Sequence, residues 1–280
     1  MPELPEVETV RRRLDPQVVG RRVTDVCILD QTVSRQSQAE MRALLLGKVV
    51  RAIGRRGKWL LFDLGDVTMV VHLRMTGRLM FQPDAESAGR RPRFHISLDD
   101  RQRLYFYDTR RFGRLWALPS VDLPAFFADL GAEPLEDGFT VRHLRDSLAG
   151  RAAPLKSFLT DQRRLAGVGN IYADEALFRA RLHPLRAAGG VGPREAQRLH
   201  AAVIETLRLG IEHEGSSVES FVDPAGERGR FQEILNVYQR TGEPCRVCGT
   251  PIQRIVVGGR GTHFCPRCQP RRAAKRYAGR

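Results

Sequence analysis

From residue 48 to residue 118 apolar and polar side chains alternate in short stretches, and beyond residue 131 that alternation stops. Strand-like runs lie at 48–55, 58–64, 67–73, 77–82, 93–98, 102–107 and 113–118, with an earlier one at 22–30. Turns rich in Gly, Pro and Asp separate them. So many short strands can bury their apolar faces only against one another, so a β-sandwich or barrel of about 130 residues is expected. Helices are expected beside it, over 5–14 and over 38–46, the second ended by Gly47. A helix near 122–129 leads into a linker at 131–138, and helical periodicity follows at 140–149, 155–162, 170–180 and 193–211. The class is α+β with two domains, an N-terminal β-sandwich with flanking helices (1–131) and a helical domain (132–232), followed by a small unit at 233–280. A loop rich in Gly, Ser, Pro and Asp spans 214–230, and loops of that length are usually functional.

Charge narrows the partners. Across 280 residues, 46 Lys and Arg face 32 acids, a net charge of +14 that calls for a polyanion. No basic amphipathic segment points to a membrane surface, and no apolar run approaches the roughly 18 residues of a membrane span. The partner expected is nucleic acid, with no membrane. The start carries no export pattern, so a cytoplasmic location is expected. Only Lys48, Lys58, Lys156 and Lys275 are lysines, which singles them out as amines able to release a proton.

The last residues hold Cys245-x2-Cys248 and Cys265-x2-Cys268, separated by 16 residues. Each pair can present two thiolates to one tetrahedral ion, so Cys245, Cys248, Cys265 and Cys268 are read as ligands of a single structural Zn²⁺. A disulfide framework fits poorly with an unexported chain and a leftover Cys27. Thiolates and ion together remove two charges and leave about +12. Between the pairs, the alternation over 252–257 and Gly258-Gly259-Arg260-Gly261 predict a β-hairpin with Arg260 at its tip. Arg271, Arg272, Lys275, Arg276 and Arg280 follow, and phosphate binding is the economical reading.

The chain opens Met1-Pro2-Glu3-Leu4-Pro5-Glu6-Val7-Glu8. Loss of Met1 leaves a secondary amine. An α-amino group has an ordinary pKa of about 7.7–8.0, so a useful fraction is an unprotonated nucleophile near neutral pH. Its attack on a sugar C1′ or a carbonyl gives a cationic iminium, a strong electron sink. The plain alternative is a helix start, where Pro and acids are favoured.

Taken together, these features resemble the formamidopyrimidine-DNA glycosylase family. The resemblance is carried by Pro2-Glu3-Leu4-Pro5-Glu6-Val7-Glu8-Thr9, Gly54-Arg55-Arg56-Gly57-Lys58, His72-Leu73-Arg74-Met75-Thr76-Gly77, Asp108-Thr109-Arg110-Arg111-Phe112-Gly113, Gly167-Val168-Gly169-Asn170-Ile171-Tyr172 and the cysteine hairpin, in order. It implies a helix–two-turn–helix element in the helical domain, a zinc finger after it, and action on damaged double-stranded DNA in the bacterial cytoplasm, at the nucleoid; a monomer is expected because no dimerisation stripe is evident in the sequence. By this resemblance Pro2 is the nucleophile, and Glu3 protonates the sugar ring oxygen. Lys58 contacts a phosphate and assists base departure and β-elimination, Arg260 assists δ-elimination, and Glu6 supports the site. Met75, Arg110 and Phe112 fill the hole left by a flipped nucleotide, with Arg110 reading the opposite base and favouring cytosine. His72, His95, Arg151, Lys156 and Asn170 match DNA contacts. The loop near Ser216 to Arg230 corresponds to the segment covering the flipped base.

Two rivals remain at this point. Endonuclease VIII relatives attack oxidised pyrimidines with the same amine, but Leu4, Met75, Arg110 and Phe112 favour the purine enzyme. A non-catalytic zinc-containing DNA-binding protein would not need Pro2, Glu3 and Lys58 intact. Thr109 stands where the family has proline, which touches turn rigidity rather than chemistry.

Overall fold

The computed structural model describes residues 1–82, 91–99, 101–218 and 221–271. Arg272, Lys275, Arg276 and Arg280 of the basic tail lie outside these residues, as do positions 219 and 220 of the long loop. The chain forms two compact units, residues 1–130 with 209–233, and residues 131–208 with 234–280.

The first unit opens with helix α1 (Leu4–Val18). Pro5 occupies the first turn, where its missing N–H leaves no bond unmade. Val7, Val10, Leu14 and Val18 recur at steps of three, four and four and are all buried. Val18 continues that stripe past the expected end near Leu14. Pro16 interrupts only the carbonyl of exposed Arg12, so the helix carries through it. Then come β1 (Val23–Ile28), α2 (Gln38–Leu45), β2 (Ala52–Arg56), β3 (Trp59–Asp63), β4 (Val67–His72), β5 (Arg78–Gln82), β6 (Phe94–Leu98), β7 (Arg103–Tyr107), β8 (Arg114–Pro119) and the short α3 (Leu123–Phe126).

All pairings are antiparallel, in two sheets of order β1-β6-β7-β5 and β2-β3-β4-β8. One apolar cluster takes Val26, Phe94 and Phe106 from the first sheet, Phe62, Val71 and Leu115 from the second, and Val10 and Leu14 from α1. That shared core makes the unit a sandwich with helices at its sides. The run expected at 48–55 becomes a strand only from Ala52. Before it, Val50 donates to the Arg21 carbonyl at 2.9 Å and accepts from Gly20 at 2.8 Å, so the chain there pairs with the segment leaving α1.

The second unit holds α4 (Val141–Leu148), α5 (Leu155–Thr160), α6 (Asn170–Arg179) and the body of α7 (Pro193–Glu212), then the hairpin β9 (Gln253–Val257) and β10 (Arg260–Phe264). Thr140 Oγ1 caps α4 by accepting from His143 N at 3.1 Å. Helix α5 stops short of the expected 162 because the Asp161 carboxylate accepts Arg163 N at 3.0 Å and turns the chain. Gly258 and Gly259 adopt φ of +56° and +74° at the hairpin turn, the left-handed region open to glycine.

The expected segment 132–232 is thus divided. Its last stretch, 209–232, joins the sandwich unit together with Glu233, while the cysteine-bearing end clusters with the helices instead of standing apart. Hydrogen bonds and ion pairs explain the first half of this, since Arg13 of α1 holds Glu214 at 2.5 Å and Asp223 at 3.1 Å. No helix among the described residues is long and apolar enough to cross a membrane.

Candidate active site

Pro2 is buried at the head of α1, beneath an exposed Met1. With Met1 attached the Pro2 nitrogen is an amide, and removal of Met1 converts it to the amine. Glu3 and Glu6 are 2% and 1% exposed, an unusual depth for carboxylates. The helix start accounts for it. Glu6 Oε2 accepts the Glu3 backbone N–H at 2.7 Å, a capping arrangement that ties down the residue next to the nucleophile. The other Glu6 oxygen accepts Ser216 N–H at 2.7 Å. One carboxylate therefore holds both the N-terminal turn and the beginning of the long loop. Gly215 makes the approach possible, because a Cβ there would lie 2.8 Å from Glu6 Cγ, and its φ is +83°.

Lys58 sits in the turn between β2 and β3, yet it is only 4% exposed. A lysine at that depth is not a solvated turn residue. Arg55 shapes this turn by donating to the Gly57 carbonyl at 3.0 Å and pairing with Glu8 of α1 at 3.3 Å. Trp59, next in sequence, pairs in register with His72, and their rings meet edge-on at 4.5 Å. His72 Nδ1 accepts Arg74 N–H at 2.9 Å.

Burial pushes the His72 imidazole down to about 3, with the charges of Arg74 and Lys58 adding to the effect. His72 is therefore a neutral ring near neutral pH, able to offer a hydrogen bond but no charge. Its folded pKa lies below the ordinary 6.5, so from 6.5 down to about 3 the unfolded chain takes up a proton that the folded chain refuses. This contribution to stability is complete above pH 6.5 and falls away as pH drops. Urea unfolding at pH 7 and pH 4.5 should show a larger loss in the native protein than in His72→Gln, and equal losses would refute the assignment.

Met75 and Phe112 share a pocket with Met1, Arg74 and Arg114. Phe112 is 45% exposed, so core packing does not account for it. The Arg110 guanidinium lies over its ring, 4.7 Å from the centroid. The structure thus brings together the three residues expected to fill a vacated base position, on two adjoining loops. Asp108 fixes those loops to each other: its carboxylate accepts Gly113 N–H at 2.6 Å, Arg110 N–H at 3.2 Å and the Thr76 hydroxyl. Arg74 and Arg111, beside Met75 and Phe112, hold φ of +54° and +56°, strain of the kind stored where function fixes a side chain. His95 stands apart on β6, half-buried against Tyr105, its Nδ1 without a partner and its pKa lowered by burial and Arg103.

In the second unit, Asn170 opens α6 after Gly167, whose φ is +89°. Its amide donates to the Gly261 carbonyl at 3.0 Å, beside exposed Arg260 at the hairpin turn, while its Oδ1 is buried without a partner. Lys156, which by the resemblance matches a DNA contact, has a side chain that is 0% exposed, and its ammonium donates to Asp174 Oδ1 and the Asn170 carbonyl, both at 2.6 Å. The other Asp174 oxygen accepts His263 N–H at 2.8 Å and meets His263 Nδ1 at 3.2 Å. Lys156, Asp174 and His263 form a buried chain that ties the α6 N-terminus to the hairpin. Half-buried Arg151 donates to the Ser147 carbonyl at 2.6 Å after α4.

Sulfurs of Cys245, Cys248, Cys265 and Cys268 all lie within 4.8 Å of one another. Cys248 and Cys265 lie 3.5 Å apart, and Cys245 and Cys268 3.9 Å. A tetrahedron of Zn–S bonds near 2.3 Å has an edge of about 3.8 Å, so the four residues fit one zinc. Val247 and Cys268 donate backbone N–H groups to the sulfurs of Cys245 and Cys265 respectively, each at 3.4 Å.

A buried N-terminal proline flanked by locked carboxylates, with a helix start and a four-cysteine hairpin suited to phosphates, defines a zinc-finger enzyme of nucleic acids. Residues 1–115 match the family model for the formamidopyrimidine-DNA glycosylase N-terminal domain, residues 130–222 its H2TH domain, and residues 242–271 the zinc finger found in FPG and IleRS. The chain belongs to the formamidopyrimidine-DNA glycosylase family. It is 46% identical over 271 residues to the formamidopyrimidine-DNA glycosylase of Chloroflexus aurantiacus, covering 96% of this chain and 98% of that one. With that of Symbiobacterium thermophilum it shares 48% identity over 277 residues, 96% and 90% of the two chains. Among solved structures, the MutM (FPG) protein of Thermus thermophilus aligns with a TM-score of 0.85 at 45% identity, over 96% and 98% of the chains. The Lactococcus lactis Fpg in complex with DNA containing an abasic site aligns with a TM-score of 0.90 at 34% identity, over 96% and 100%.

Proposed function

We propose that this protein removes oxidised purines, such as 8-oxoguanine and formamidopyrimidines, from duplex DNA and then cuts the strand, as a bifunctional glycosylase and abasic-site lyase of base excision repair. The observation that carries the reading is the N-terminus. Pro2 lies buried at a capped helix start, next in sequence to Met1, which lines a pocket with Met75 and Phe112.

In this reading the Pro2 nitrogen bonds to C1′ as the N-glycosidic bond breaks, the base leaving with the electron pair. The new ammonium gives up its proton, and Glu3 donates one to the ring oxygen as the C1′–O bond opens. The nitrogen lone pair then forms a cationic iminium. It draws electrons from C2′, which loses a proton as the 3′ phosphate departs, and a second loss from C4′ releases the 5′ phosphate. Lys58 and Arg260 serve these two departures. Glu6 positions the amine's neighbour and the covering loop. Met75, Arg110 and Phe112 hold the gap while the target is out of the stack, and Asn170, Arg151, His72 and His95 meet the DNA backbone. Lys156 positions Asn170 from beneath. Zinc, held by the four cysteines, supplies rigidity to the hairpin and no chemistry. Each domain's part falls within one chain, consistent with a monomer, and an enzyme of bacterial chromosomal DNA works in the cytoplasm, at the nucleoid.

Base release from duplexes holding 8-oxoguanine opposite cytosine, or thymine glycol opposite adenine, tests the purine assignment. Faster release of 8-oxoguanine is expected, and faster release of thymine glycol would overturn it. Raising salt should weaken binding to either duplex alike through counterion release.

A further inference from the structure

A basic pocket of about 760 Å³ in the second unit has no part in the chemistry above. Arg179, Arg181, Arg186, Arg198 and Arg267 line it, with Glu195 among them. Arg186 forks onto Glu195 through two bonds of 2.6 Å, and Arg179 holds Glu205 at 2.7 Å. Among the described residues, no carboxylate pairs with Arg181, Arg198 or Arg267. Three guanidiniums are therefore directed into one concavity with donors to spare.

The pocket lies at the opposite ends of the elements that carry the phosphate contacts. Asn170 opens α6 and Arg179 closes it, nine rises later, about 13–14 Å along the axis. Arg260 begins β10 at the hairpin turn and Phe264 ends it, about 13 Å along the strand, while the pocket-lining Cys268 belongs to the turn that follows Phe264. This inference rests on the proposed function: DNA held there by Asn170 and Arg260 would leave the pocket open.

We propose that the pocket docks an acidic, partly apolar peptide segment of a protein partner while the enzyme is on DNA. Guanidinium forks receive carboxylates bidentately, and Arg186 already does so within the wall. Val247, 64% exposed, and Pro270 add apolar surface beside the charges. Five guanidiniums, one carboxylate and a zinc tetrathiolate leave the lining at about +2. That is too little to hold a polyphosphate chain by charge alone, and it matches a ligand with two or three carboxylates. An extended peptide places alternate side chains about 6.6–6.8 Å apart on one face, which lets acids and apolar groups meet their counterparts in turn.

Fluorescence anisotropy with a labelled eight-residue peptide that carries glutamate and leucine in turn at every second position, with serine between them, tests this on the zinc-loaded full chain. Binding should persist when the protein is saturated with an abasic-site duplex. The triple variant R181Q/R198Q/R267Q should bind the peptide about tenfold or more weakly, as loss of charge-assisted hydrogen bonds requires, with zinc content, duplex affinity and lesion excision unchanged. Absence of peptide binding, its displacement by duplex, or an equal loss of duplex affinity in the triple variant would each overturn the proposal, the last two assigning the pocket to the nucleic-acid path.

Discussion

Glu3→Gln should lower the single-turnover release of 8-oxoguanine by about 10²–10⁴-fold, the range for loss of a positioned general acid. The fold should survive the change. What fixes Glu3 is its backbone N–H on Glu6, and an amide keeps the size of the buried side chain. Gln cannot deliver a proton to the sugar oxygen, so ring opening loses its driving step. A pre-formed abasic site has no base to expel and exposes an aldehyde, so its cleavage depends on the Pro2 amine and should retain most of its rate. The comparison of the two substrates is the measurement. An equal fall on both would mean that Glu3 acts by holding the N-terminus in place rather than by donating a proton.

The second large effect is expected from Asp174→Ala. Lys156 and Asp174 are each 0% exposed, and removing the carboxylate leaves a buried ammonium without its counter-charge. Breaking such a pair costs about 3–5 kcal/mol. His263 loses its acceptor as well, which loosens the hairpin from α6. Urea unfolding should register the loss, and affinity for an abasic-site duplex should fall with it because Asn170 and Arg260 are no longer set relative to each other. The double variant Lys156→Met with Asp174→Leu should recover most of the stability, since two apolar groups need no partners. Its duplex affinity should stay low, because the Asn170 carbonyl still lacks its anchor. Full stability in Asp174→Ala would contradict the role given to this chain of residues.

Those two cases differ in how far the sequence discloses them. Glu3 is legible because a local string, Pro2 through Glu8, holds nucleophile, acid and helix start together. The cysteine spacing is legible for the same reason, as is the period of two in β3, β6 and β8. Lys156 is not. In sequence it is one lysine after Leu155, and the partners that bury it lie 18 residues away at Asp174 and, through that carboxylate, 89 further on at His263. No period or motif spans such distances, and His263 alone carried no pattern. The division at residue 208 has the same cause: Ser216 lies in the sandwich unit and bonds to Glu6 across 210 positions. Asp108 stood within a quoted motif, but its work on Thr76, Arg110 and Gly113 is visible only in three dimensions.

Everything catalytic rests on the nitrogen of Pro2, and reductive trapping reads that atom directly. Protein lacking Met1 is incubated with an abasic-site duplex and borohydride, digested, and the cross-linked peptide sequenced by mass spectrometry. One adduct on Pro2, absent from protein that retains Met1, is the predicted result. An adduct on Lys58, or equal trapping with Met1 in place, would contradict it.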